Sequence, residues 1–203
     1  MILKSGGNIM QYGNYALDFQ GGDPYNPLNL PPFTIRCKFA PGYTPTMGDS
    51  QTLVDADENV WDITNNSTNW NSLFSLISNL IEVLGANTTG VTIMTNMFYR
   101  CTSLTSVPLF DTRACTDMSL MFQRCTNLTS VPLFDTSKVT QMNGVFYYCT
   151  NVQSGALALY QQASTQPNPP GNHYGCFYNC GVNTTTGAAE LAQIPSSWGG
   201  TAS

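Results

Sequence analysis

Seven cysteines and a single histidine are the residues of this 203-residue sequence best equipped for metal or nucleophile chemistry. His173, Cys176 and Cys180 form its one zinc-like cluster, H-x-x-C-x-x-x-C. That cluster offers three ligands, whereas a closed structural zinc site takes four in recognised spacings. A Cys176–His173 nucleophile pair has no obvious orienting third group and no oxyanion hole beside it. His173 lies in a Pro/Gly/Asn loop, so an exposed spacer residue is the preferred reading; whether Cys176 and Cys180 pair or bind metal stays open. Asp55-Ala-Asp57-Glu58-Asn59 opens like a calcium loop but lacks the later glycine and the closing bidentate glutamate, which favours an acidic solvated turn. With no Gly-rich phosphate loop either, the expectation is a non-enzyme with no cofactor and no metal.

Three of the cysteines lead to a different organisation. Cys101, Cys125 and Cys149 hold one position of a 24-residue repeat, and residues 91–114 match 115–138 at 16 of 24 positions. Met97-Phe98-x-Arg100-Cys101-Thr-x-Leu104-Thr-Ser-Val107-Pro-Leu109-Phe110-Asp111-Thr112 returns as Met121-Phe122-x-Arg124-Cys125-Thr-x-Leu128-Thr-Ser-Val131-Pro-Leu133-Phe134-Asp135-Thr136. Val139, Met142, Phe146, Cys149 and Val152 continue the pattern, and Trp70, Phe74, Leu80 and Val83 anticipate it. Four units follow, 67–90, 91–114, 115–138 and 139–162, the outer two degenerate. A fixed period of this length predicts stacked supersecondary units. Stacking sets equivalent residues about 5 Å apart, so the repeated cysteines are expected as a buried ladder of free thiols, which Cys180 could join.

The elements that must position these residues are short strands and short helical return segments. Val107 and Leu109 are expected to face inward from a strand, leaving Ser106, Pro108 and Phe110 to project from it. Met94, Phe98 and Cys101, at i, i+4 and i+7, are expected to form the core stripe of a helical return. On that geometry Phe110, Phe134, Pro108 and Pro132, with Ser106, Ser130, Thr105 and Thr129, make an exposed apolar ladder suited to partner binding. The competing reading has both phenylalanines turned into the core. The fold class expected is thus a leucine-rich-repeat-like solenoid of about four units, with a β N-terminal cap and a helical C-terminal cap.

Residues 1–32, rich in Gly, Asn, Gln and Pro, read as an extended docking arm with Tyr12, Tyr15, Phe19 and Tyr25 as its adhesive side chains. Residues 33–66 read as a β cap, in which the alternating strand 33–39 pairs with a second strand around Val60–Ile63 after a long loop. The repeat solenoid occupies 67–162. Within the flank beyond it, a helix capped by Ser154 and a last helix capped by Thr186 and stopped by Pro195 lead to a C-terminal cap, 163–203, with Trp198 folded back.

The repeated Met-Phe-x-x-Cys-x-x-Leu-Thr-Ser-Val-x-Leu-Phe-Asp-Thr, followed by Val-Thr-x-Met, resembles the BspA-type leucine-rich repeats of bacterial surface proteins. The flanking segments 82–92, 154–164 and 187–200 are similar to a subgroup found in phage and prophage structural proteins of gut bacteria. The resemblance implies adhesion or protein binding without catalysis. A formal net charge of −5, with 9% charged residues, argues against nucleic acid and anionic membranes as partners. The N-terminus has no apolar export region and no apolar run reaches a membrane span. The function expected is a virion structural protein: a head fibre, decoration protein or tail-associated adhesin made in the host cytoplasm and carried on the virion surface. It would dock to other virion proteins through its arm and present the repeats to a host-surface protein or glycan. Analogy with fibre-like proteins adds a homotrimer. The alternative is a bacterial cell-surface adhesin.

Overall fold

The computed structural model describes residues 9–12, 15–18, 23–46 and 51–202. Strands β1 (Ile9–Tyr12) and β2 (Tyr15–Asp18) form an antiparallel pair. Strands β3 (Thr34–Phe39), β4 (Gln51–Asp57), β5 (Val60–Asn65) and β6 (Leu80–Ala86) form an open antiparallel sheet in the order β4-β5-β3-β6. Helices α1 (Ala156–Thr165) and α2 (Thr185–Leu191) and a 3-10 turn, Ser196–Trp198, follow.

Side-chain alternation explains the sheet. Ile35, Cys37 and Phe39 of β3 are fully buried on one face with Ile63 of β5. On the other face Arg36 donates two 2.7 Å hydrogen bonds to the Asp62 carboxylate opposite it. The β3–β5 pairing is the one expected. Two further strands were not: β4 lies in the supposed long loop, joined to β5 by a tight turn at Glu58-Asn59 in which Asn59 takes φ +61°. The Asp55–Asn59 sequence is thus a hairpin end. Strand β6 lies inside what reads as the first repeat unit and pairs with β3 instead.

The expectation of a leucine-rich-repeat-like solenoid, built of strands and helical returns between caps, is corrected by these elements. Regular secondary structure among the described residues consists of the small open antiparallel sheet, the β1–β2 pair and two helices. Segments 106–110 and 130–134, read as repeat strands, keep only a single bridge each, at Ser106 and Ser130, before irregular chain. Segments 95–100, 119–124 and 143–148, read as helical returns, are turns.

Backbone dihedrals give the reason. Asn96 and Arg100 have φ of +54° and +58°, Leu120 and Arg124 +59° and +61°, Gly144 and Tyr148 +61° and +60°. A left-handed residue every fourth position cannot continue an α-helix. It divides the N–H groups between two destinations. Met97, Tyr99 and Cys101 donate within the turn to Met94, Asn96 and Phe98 (3.0–3.2 Å). Met94, Asn96, Phe98 and Arg100 donate outward to the carbonyls of Asp117, Ser119, Met121 and Gln123 (2.8–2.9 Å). Trp70, Ser72, Phe74 and Leu76 do the same to Ile93, Thr95, Met97 and Tyr99, as do Met118, Leu120, Phe122 and Arg124 to Gln141, Asn143, Val145 and Tyr147. After Met142 the acceptors become Asn172, Tyr174, Cys176 and Tyr178, because residues around α1 are inserted. The 24-residue sequence period is therefore a hydrogen-bond period of turns.

Helix caps also differ from expectation. Gly155, not Ser154, precedes α1, in a left-handed conformation (φ +96°) where a Cβ would collide with the Val131 carbonyl. Thr184, not Thr186, caps α2 by accepting from the Gly187 N–H at 3.0 Å. Trp198 is buried, and its carbonyl accepts from Phe177 N–H at 2.9 Å.

Candidate functional site

The repeated core residues come together as ladders, and these take in phenylalanines expected on an exposed face. Phe74, Phe98, Phe122, Phe146 and Phe177 stack face to face at 5.2–5.9 Å between successive centroids, within the range favourable for offset rings. Phe110 and Phe134 stack on each other at 5.8 Å and lie 6.0 and 6.1 Å from Phe98 and Phe122. Both are fully buried.

The exposed ladder of Phe110, Phe134, Pro108 and Pro132 is therefore corrected. Strand alternation does not apply beyond Ser106 and Ser130, because the chain there is no longer a strand. Phe134 N–H instead donates to Pro132 O at 3.0 Å, a three-residue turn that exposes Leu133 (53%) and carries Phe134 into the core. Pro108 is buried and Pro132 half-buried. Ser106 donates to Glu82 at 2.9 Å, and Ser130 forms a bridge with Ser154.

The docking-arm residues divide in three. Phe19, with the side chains of Tyr12 and Tyr15, lies outside the described residues, as do the side chains of Asp55 and Asp57. The backbones of Tyr12 and Tyr15 are paired across β1–β2, not part of an extended arm. Tyr25 faces its own chain: the Arg113 guanidinium sits 4.9 Å above its ring. The Leu28 side chain lies against Gly85 of β6, where an added Cβ would displace it, and buried Leu30 accepts from Asn87 at 2.9 Å. Residues 23–30 are thus tied to the body of the molecule.

All seven cysteines are free and buried. Cys101, Cys125 and Cys149 each donate to the carbonyl of a residue 27 positions earlier, Phe74, Phe98 and Phe122, at 3.0 Å. Burial pushes the Cys101 and Cys115 thiols up to about 12 and raises the other five well above the ordinary thiol value. Such thiols are poor nucleophiles. The His173 ring stacks on Trp198 at 4.1 Å and Nδ1 lies 3.0 Å from Pro170 O, while Cys176 and Cys180 point into the core. Among the described residues no three His, Cys, Asp or Glu side chains are placed to hold a metal ion.

What reaches solvent is the pair of residues between each ladder phenylalanine and cysteine: Tyr99-Arg100, Gln123-Arg124, Tyr147-Tyr148 and Tyr178-Asn179. Tyr147 stacks on Tyr178 at 5.0 Å, and Tyr148 packs against both at 4.9 and 5.7 Å. Arg124 lies 5.3 Å above Tyr148 and Arg100 5.4 Å above Tyr99. Tyr178 is 44% exposed and neighbouring Tyr174 79%. Among the described residues no carboxylate pairs with Arg100 or Arg124, in contrast to Arg113, whose guanidinium binds Asp111 at 2.8 and 2.9 Å. That pairing, with the Arg113 and Thr89 hydrogen bonds, holds the Asp111 carboxyl below the usual carboxylate range. A partly exposed aromatic cluster with two guanidiniums unpaired by carboxylates can stack on planar or apolar groups and bind anions. Sequence reasoning missed it by following the repeated residues. The signal was the tyrosine- and arginine-rich pair between each repeated phenylalanine and cysteine.

Among the described residues no helix is long and apolar enough to cross a membrane. No curated protein and no solved structure matches the chain. A family profile described as "Mycoplasma protein of unknown function, DUF285" matches residues 46–161, from β4 through the repeated turns into α1. Since that match takes in more than half of the sequence, the chain belongs to this family.

Proposed function

We propose that this chain is a non-enzymatic contact protein of a virion surface, a head fibre, decoration or tail-associated component, whose binding face is the Tyr–Arg cluster. The observation that carries the reading is the pairing of mutually packed Tyr147, Tyr148 and Tyr178, the first two half-buried and the last exposed, with guanidiniums at Arg100 and Arg124 that no carboxylate among the described residues neutralises. Aromatic and arginine side chains are the residue types enriched at the energetic centres of interfaces. Buried, protonated thiols and a histidine committed to Trp198 leave the described residues little nucleophilic chemistry. The resemblance of the repeat to BspA-type surface proteins agrees with contact as the activity. Residues 1–32 would supply the attachment to other virion proteins, now with Tyr25 engaged by Arg113 and not available to the partner.

A second reading, an adhesin on a bacterial cell surface, is favoured by one observation: the matching family is described by a bacterial genus. Immunogold labelling separates the two. Antibody against the Tyr–Arg face should decorate intact phage particles if the virion reading holds. Label confined to the cells supports the adhesin, and label on neither overturns both.

A further inference from the structure

The turns leave one edge of their hydrogen-bond ladder open, and a groove runs along it. Carbonyls of Ile93, Thr95, Met97 and Tyr99 accept N–H groups from the preceding unit, and the same positions are filled in the next units. In the first unit the equivalent carbonyls belong to Asn69, Asn71, Leu73 and Ser75, and no unit precedes them. Asn65 of β5 supplies a side-chain donor to the first, at 3.3 Å to Asn69 O. Among the described residues the carbonyls of Asn71, Leu73 and Ser75 have no donor. All three residues line a groove of about 560 Å³ together with Asn69, Ser72 and Ile77. Gln51 at the start of β4 and Asn65 at the end of β5 border the same groove. At the opposite end Phe177 N–H is taken by Trp198 O and Gly199 lies against Tyr178, so the chain itself satisfies one donor of the last row there.

We infer that this groove is a docking site for the backbone of a partner polypeptide, which adds its N–H groups at every second residue to the carbonyls of Asn71, Leu73 and Ser75. The argument for a polypeptide is register. Every other row of these carbonyls in the molecule receives backbone N–H groups from alternate residues, and an open row of this kind is a template for one more segment. Uncharged lining asks for no charged ligand: Asn69, Asn71, Ser72 and Ser75 provide amides and hydroxyls, and Leu73 and Ile77 provide apolar contact for alternate side chains. The inference is independent of the Tyr–Arg face and of whether a virion or a cell carries the protein.

The test selects a random peptide display library on the immobilised full chain, then measures each selected peptide against the wild type and Asn71→Trp, whose exposed side chain would fill the groove. Thermal melting checks that the variant is folded, and a scan of backbone N-methylation along the peptide avoids altering the protein at all. Peptides should lose about tenfold or more on Asn71→Trp, and on N-methylation at three alternate residues but not at those between. Selection of no peptide sensitive to Asn71→Trp overturns the inference, as does an N-methylation profile without alternation. Binding of neutral oligosaccharide probes, or of a second copy of the chain, that Asn71→Trp abolishes while no peptide qualifies would assign the groove to that occupant and overturn the inference equally.

Discussion

Cys101 illustrates how the repeated residues work. Its thiol donates to Phe74 O, and its side chain is fully buried in the same core as the stacked rings of Phe74 and Phe98. Burial disfavours the thiolate, which raises the folded-state pKa to about 12. The unfolded chain ionises near the ordinary thiol value, so the stabilisation is fully present below that value. It is lost as pH climbs toward about 12. Thiol titration with an aromatic disulfide reagent should find the native protein unreactive at pH 8 and all seven thiols reactive after unfolding. The urea midpoint should fall as pH rises from about 9. Rapid reaction of Cys101, Cys125 or Cys149 in the folded protein would contradict their enclosure. That these cysteines are a core ladder was readable from their shared repeat position, because one site in a stacked unit has one environment. The inward orientation of Phe134 was open between two readings in the sequence, since it depends on where strand geometry ends, and a three-residue turn at Leu133 leaves no periodic trace.

Turns, not helices, carry the repeated Met-Phe-x-x-Cys segment, and substitution at Asn96 distinguishes them. Asn96 sits at φ +54° with its N–H bound to Ser119 O. Glycine reaches that conformation without a Cβ penalty, so Asn96→Gly should be neutral or stabilising by up to about 1 kcal/mol. Asn96→Val, with a branched Cβ, should destabilise by roughly 1–2 kcal/mol. A helix would give the opposite result for glycine, a loss of about 1 kcal/mol. Chemical denaturation of the two variants reads the sign directly. The i, i+4, i+7 spacing of Met94, Phe98 and Cys101 suggested a helix because a chain of linked turns also returns a side chain to the core every three or four residues. Only the dihedrals separate the two, and among residues at the left-handed positions Gly144 and Gly175 are the overt sequence signals. Strand β3 was readable because its alternation is strict. Strand β6 was hidden because Leu80 and Val83 satisfy the repeat and the sheet together.

At the scale of the whole molecule, the sheet and the turns form one core, from Ile35 through the phenylalanine ladder to Trp198. The repeated apolar residues are spent on that core, and the two residues between each ladder phenylalanine and cysteine lie on the outside. Binding on this account belongs to those outer residues, Tyr99-Arg100, Arg124, Tyr147-Tyr148 and Tyr178. The direct measurement is retention of fluorescent beads carrying the purified chain on mucin-coated glass and on whole bacterial cells, before and after Arg100→Glu with Arg124→Glu. Leu133→Ser, an exposed position away from that cluster in the repeat, serves as the control. The account predicts that the wild type and the Leu133 variant are retained on at least one surface, and that the double charge reversal lowers retention by about tenfold or more with no change in thermal midpoint. Equal retention of all three proteins, or no retention of any, would contradict it.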